Sequence, residues 1–235
     1  METALRLIKL LPGIDWVAIA VFVSAWAGYA VFARRRAGHR PSLLATTNRV
    51  RRQWMLQTTY RDVRVVDGVV IQNLSTSPSF FASTTILIIG GLLAVLGTAE
   101  KASELARELP FAARTTALVF DFKVLFLLGI FVYAFFRFTW SMRQYTFGAL
   151  LIASAPDATR FLEEGLSREA FADQAGRVVG MAAETFNDGL RAYYFSFAAA
   201  GWLFSPYLFL VATVGVVWIL YQREFRSDVL AVLTS

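Results

Sequence analysis

The sequence predicts an all-α protein, a polytopic membrane helix bundle of about four transmembrane helices with cytoplasmic amphipathic helices. Three observations carry that expectation. Hydrophobic residues make up 57% of the 235 positions, above the roughly 45–50% usual for a soluble domain, and the mean hydropathy is +0.52. The excess falls in blocks long enough to cross a bilayer, which takes about 20 residues at 1.5 Å rise. Arginines crowd one interval, where Arg34, Arg35, Arg36, Arg40, Arg49, Arg51, Arg52, Arg61 and Arg64 face only Asp62 and Asp67. Basic residues beside a span mark its cytoplasmic side, and residues 1–235 read as a single membrane domain.

Residues 1–11 form a short, mostly apolar head that Pro12-Gly13 breaks. The first span is expected over Ile14 to Phe32, with Trp16, Trp26 and Tyr29 toward its ends. Glu2 and Asp15 sit where a signal peptide is basic, and the apolar run meets three arginines rather than a small-residue cleavage site. The reading is therefore a retained helix with its N-terminus outside. From Pro41 to Leu74 the chain reads as a basic, partly amphipathic helical segment. Val63, Val66, Val70 and Leu74 recur at 3–4 spacing, with Trp54-Met55 upstream. Such a helix lies on the leaflet with its stems in the acyl boundary, or packs on the bundle. Ser77-Pro78 then reads as a helix cap followed by a first-turn proline, opening a second span from Phe80 to Thr98. Ala82, Ser83, Gly90, Gly91, Ala94 and Gly97 would let another helix approach closely there.

An outer loop over 99–115 balances Lys101, Arg107 and Arg114 against Glu100, Glu104 and Glu108. The third span is expected from about Thr116 to Phe136, its helix continuing to the region of Pro156. Asp121 and Lys123 in its first two turns are candidate intramembrane charges, either anchors and ion-pair partners or a functional polar site. Asp157 to Gly189 is charged and alanine-rich, with apolar positions at helical spacing, so a helix or helical pair packed on the bundle is expected. The last apolar run, about 28 residues long by the roughly 20-per-span rule, is too short for two crossings. It therefore reads as one span kinked at Pro206. One crossing puts both termini outside, whereas Arg223 and Arg226 in the tail argue against that, so the side of the C-terminus stays open.

Composition excludes several chemistries. The chain has no cysteine and one histidine, His39, so disulfides, thiolate metal sites, iron–sulfur clusters and cysteine nucleophiles are ruled out. A haem held by two histidines of one chain is ruled out as well. A Ser-His-Asp triad would have to use His39 in a basic linker, a poor place for a buried base. There is no phosphate-cradling glycine loop and no metal-ligand spacing. No catalytic residue, metal site or cofactor is expected. The basic run would suggest nucleic acid on a soluble protein. Beside a span it indicates anionic lipid instead.

Two polar stripes meet at the expected cytoplasmic level. Arg137, Ser141, Gln144 and Gly148 share one helical face at the end of the third span. Glu184, Asn187, Arg191 and Tyr194 share another before the last span. Together they nominate Arg137, Arg143, Gln144, Tyr145, Asn187, Arg191 and Tyr194 as contacts for an anionic group such as a lipid phosphate. Topological anchoring with interhelical hydrogen bonds is the alternative use of the same residues.

The runs FRFTWSMRQY, NDGLRAYYFSFAAAGWLF and WILYQREFRS, with FASTTILIIGG after a basic RRQW segment, resemble the domain-of-unknown-function 599 family of predicted integral membrane proteins. The likeness extends from about Trp16 to Ser227. Matching positions are Phe138, Trp140, Arg143, Gln144 and Tyr145, then Asn187, Gly189, Arg191, Tyr194 and Phe195, then Arg223, Glu224 and Ser227. Before the second span the family favours Arg-Asn, where this chain has Gln72-Asn73. The resemblance implies a small multi-span membrane protein and no particular activity.

The functional expectation is a non-enzymatic structural or accessory subunit, or a scaffold, of a bacterial inner membrane. The expected partners are membrane lipids, further copies of itself or a larger membrane complex. The alternative is a small transporter or channel for an ion or anionic solute, working as an oligomer. The discriminator is helix facing: charges lining one continuous cavity favour transport, and charges that pair locally favour the accessory role.

Overall fold

A computed structural model of the chain describes residues 11–37, 41–97 and 116–234. Residues 1–10 of the N-terminal head, His39 and the outer loop expected over 99–115 lie outside the described residues. Helix α1 (Gly13–Ala37) buries Ala18, Phe22, Tyr29 and Ala33, which fall on one face. A linker leads to α2 (Leu43–Thr58), opened by Ser42, whose Oγ accepts from the Ala45 N–H at 3.2 Å. Next come α3 (Val65–Gly97), α4 (Ala117–Ala153), the short α5 (Ala158–Glu163), α6 (Arg168–Gly201), α7 (Pro206–Phe225) and α8 (Asp228–Thr234). Among the described residues four stretches are long and apolar enough to cross a membrane: Gly13–Ala33, Val65–Gly97, Ala117–Ala153 and Pro206–Thr234. The chain is a multi-pass, all-helical membrane protein.

The segment after α2 differs from its expected form. The valines at 63, 66 and 70 and Leu74 do not continue a surface helix. The chain turns at Thr59–Arg64, and Val65 starts a single helix that runs straight into the second span. Pro78 lies inside that helix rather than at its cap. Packing explains this: Asp67, Ile71, Pro78, Ala82 and Thr85 form one buried stripe along α3, which lies against α4. A proline interrupts a helix locally, but in a membrane bundle tertiary packing can carry the helix through it.

The turn before α3 is knotted by Asp67, only 1% exposed. Its Oδ1 accepts from Trp54 Nε1 at 2.7 Å, Thr58 Oγ1 at 3.3 Å and Arg61 Nη1 at 2.8 Å. Arg64 reaches the far end of α4, donating to the carbonyls of Ala155 at 2.8 Å and Pro156 at 2.5 Å. Here arginines expected to face lipid tie one helix end to another, a favourable placement for cations at C-terminal carbonyls. Helix α2 itself packs on α6.

The C-terminal part is a second departure. Instead of one kinked span, α6 stops at Gly201, the chain turns through Trp202–Ser205, and α7 returns beside α6. Two contacts establish the reversal. A Cβ on Gly201 would lie 3.3 Å from Leu208 Cγ, and Arg223 donates to the Tyr194 hydroxyl across the hairpin. Ser205 caps α7, its Oγ accepting from the Tyr207 N–H at 3.2 Å, and Pro206 occupies the first turn, where its missing N–H costs nothing. The end of α7 therefore lies beside α2, where Glu224 Oε1 accepts from the Leu44 N–H at 3.2 Å. The beginning of α1, beside Trp202, and the end of α7, beside α2, therefore sit at opposite ends of the bundle. Hydropathy missed the reversal because α6 carries polar residues that the neighbouring helices cover.

Two predictions follow from the hairpin and its packing. With no native cysteine, Gln53→Cys on α2 and Thr234→Cys on α8 should label from the same side of intact cells with an impermeant maleimide; labelling from opposite sides would reverse the hairpin. Gly189→Val places a Cβ 2.5 Å from Phe138 Cε1, an overpacking that should cost about 1–3 kcal/mol. Gly215→Val, whose Cβ meets nothing within 4 Å, should stay within about 0.5 kcal/mol of wild type. Thermal unfolding in detergent compares the two.

Candidate functional site

Helix α6 is where the polar chemistry gathers. Its N-terminus is capped by Ser167, whose Oγ accepts from the Ala170 N–H at 3.1 Å. Glycines admit its neighbours: a Cβ at Gly176 would lie 3.0 Å from Arg52 Cα on α2, and one at Gly148 would lie 2.9 Å from Val179 Cγ2 on α6. Ser141 Oγ donates across this seam to the Ala182 carbonyl at 2.7 Å. Close backbones bring the charged residues of α2, α4 and α6 within reach of one another.

Asp188 is the centre of that set. One carboxylate oxygen accepts from Arg137 of α4, and Oδ1 accepts from Arg191 Nη1 one turn along α6 at 2.9 Å. The Arg191 guanidinium also lies 5.8 Å from the Tyr29 ring centroid of α1. On the α2 side, Asn48 Nδ2 donates to Glu184 Oε1 at 3.1 Å, and Arg51 Nη1 donates to Asn48 Oδ1 at 2.7 Å. Burial lowers the Arg51 pKa below its ordinary value, while neighbouring Tyr145 and Glu184 act the other way. On α7, Arg223 donates to Tyr194, with its guanidinium 5.2 Å from that ring centroid.

These residues enclose a cleft of about 320 Å³ at the end of the bundle where α2 docks. Arg51, Arg191 and Arg223 line it together with Asn187, Tyr194 and Glu224. A smaller recess of about 190 Å³ adjoins it, with Asn48, Glu184 and Asp188 on its walls. Of the residues nominated from sequence, Asn187, Arg191 and Tyr194 come together in the larger cleft, and Arg137 stands behind it through Asp188. Arg143 stays exposed and apart. Gln144 is buried in α4, and Tyr145 is buried in the seam with Met55, Ile71 and Val179.

The outer charges have a different use. Lys123, 2% exposed, donates from Nζ to the Trp202 carbonyl at 2.9 Å, at the C-terminal end of α6. Trp202 Nε1 donates in turn to Asp15 Oδ1 of α1 at 2.5 Å. The indole stacks on Phe209 of α7, centroids 5.3 Å apart and planes at 18°. Asp121 takes no part in this cluster.

Sequence reasoning passed over Arg51, Asp188, Asp15 and Trp202. Asp188 had a usable signal, since Asp188 and Arg191 are three apart on a helix and so neighbours. Arg51 had none, being one arginine among many until α2 docks on α6. Among the described residues no group of three or more His, Cys, Asp or Glu is placed to hold a metal ion.

A family model described as "Protein of unknown function, DUF599" matches residues 17–229. No curated protein and no solved structure matches the chain.

The Asp188 arrangement gives a stability test. Asp188→Asn leaves Arg137 and Arg191 without their shared counter-charge, and breaking a buried pair costs about 3–5 kcal/mol. Arg143→Gln, at an exposed position, should change stability by no more than about 0.5 kcal/mol. Equal effects in a detergent unfolding assay would refute the central place of Asp188.

Proposed function

The chain belongs to the DUF599 family, and we propose that it serves as a non-enzymatic structural or accessory subunit, or scaffold, of a bacterial inner membrane. The observation that carries this reading is the local pairing of charged side chains between helices of the bundle. Arg137 and Arg191 pair with Asp188, and Lys123 is held by the Trp202 carbonyl near Asp15. The two sets occupy opposite ends of the bundle. An ion path needs charged or polar groups facing a continuous cavity. Charges spent on holding helices together favour a static role over a conducting one.

A scaffold acts through surfaces. Exposed apolar residues along α7, among them Tyr207, Val211, Val214 and Trp218, present a lipid- or protein-facing side. In a bilayer such faces associate by packing. A homo-oligomer or a larger membrane complex is the form in which the protein is proposed to work.

Affinity purification in mild detergent followed by native mass spectrometry tests this. The expected result is a discrete protein partner or a homo-oligomer at fixed stoichiometry. A bare monomer, or solute flux in proteoliposomes abolished by Arg191→Gln, would sink the scaffold reading.

A further inference from the structure

The arginine cleft shares a wall with an apolar groove. The groove, about 630 Å³, runs between α1 and α7 and is lined by apolar and small residues including Ser24, Gly28, Phe32, Val217 and Trp218. Tyr29 borders both the groove and the cleft that holds Arg51, Arg191 and Arg223. An apolar channel in the membrane thus ends at a set of guanidinium groups. From this we propose that the protein carries a specific site for one anionic phospholipid, its phosphate in the cleft and an acyl chain in the α1–α7 groove.

Donor accounting supports the phosphate. A guanidinium offers five N–H groups in a planar fork. Among the described residues these arginines hydrogen-bond through Nη1: Arg51 to Thr47 and Asn48, Arg191 to Asp188, and Arg223 to Tyr194. Among the described residues Nε and Nη2 of all three therefore remain for a ligand. Phosphate oxygens are the acceptors that fit this fork best.

Charge agrees. The cleft wall sets three arginines against one carboxylate, Glu224, and that carboxylate already accepts from the Leu44 N–H. With Arg137, Asp188 and Glu184 behind the wall included, one positive charge is still in surplus. Basic pockets between spans on the cytoplasmic side are suited to anionic headgroups. A free phosphate in solution offers the same oxygens to the cleft but makes no use of the groove. The adjoining groove is what selects a lipid.

The test uses the full chain in nanodiscs of phosphatidylcholine doped with phosphatidylglycerol, with native mass spectrometry of retained lipid. Wild type should retain phosphatidylglycerol preferentially, at one molecule per chain. Arg51→Gln and Arg223→Gln should each lower that retention roughly tenfold, the loss of one charge-assisted hydrogen bond. Arg177→Gln, on α6 with its side chain 73% exposed, should leave it unchanged. A second variant addresses the groove: Gly28→Leu, at a position where a Cβ meets nothing within 4 Å, puts an apolar side chain into it. It should reduce lipid retention while leaving any thermal stabilisation by inorganic phosphate intact. No preference for phosphatidylglycerol overturns the proposal, as does equal loss in Arg177→Gln. Stabilisation by inorganic phosphate with lipid retention indifferent to Gly28→Leu would identify a soluble phosphate instead and overturn the lipid assignment.

Discussion

The fold depends on keeping a polar helix inside an apolar bundle. Helix α6 carries Glu184, Asn187, Asp188 and Arg191 on the way to its apolar end, and by hydropathy alone it is not among the membrane-crossing helices. It is admitted because its neighbours satisfy it. Arg137 and Arg191 share Asp188, Asn48 answers Glu184, and Ser141 bonds the Ala182 carbonyl. In a low-dielectric interior such pairs are strong when complete and costly when broken. The small residues along α6 let α2 and α4 come near enough to complete them. The same closeness places Arg51, Arg191 and Arg223 around one cleft, so the packing device and the candidate site are one construction.

The outer end solves a different problem. When α6 stops, its last carbonyls need partners away from bulk water. Lys123 supplies one donor at the Trp202 carbonyl, and the buried Trp202 side chain is fixed by Asp15 and by stacking on Phe209. This cluster draws α1, α4, α6 and α7 together at one level. A lysine near the end of a span, which sequence alone leaves as either an anchor or a functional charge, is here a fastener.

Two Ser-Pro pairs show where sequence patterns lose their meaning. Ser77-Pro78 looks like the start of a helix, yet Pro78 is buried inside α3. Ser205-Pro206 looks like a kink, yet it starts α7 with a proper cap. The dipeptides are the same, and their surroundings differ. Pro78 lies on a stripe pressed against α4, so packing outweighs the interruption. Ser205 follows a turn pinned at Trp202, so the chain has already reversed when the proline arrives. Half of the candidate site was visible in the same limited way. Asn187, Arg191 and Tyr194 fall on one helical face, which spacing reveals, whereas Arg51 and Tyr29 join them only after α2 and α1 dock.

By itself the sequence determined that the chain is an all-helical, multi-pass membrane protein and where along it the basic segment falls. These follow from composition, block length and charge, quantities that add along a chain without knowledge of contacts. The tertiary structure decided the hairpin of α6 and α7, the side on which α7 ends, and the division of arginines between structural ties and the cleft. Each of those depends on which polar group meets which partner across helices. In a bilayer that pairing governs whether a polar helix is tolerated at all, and no local pattern encodes it.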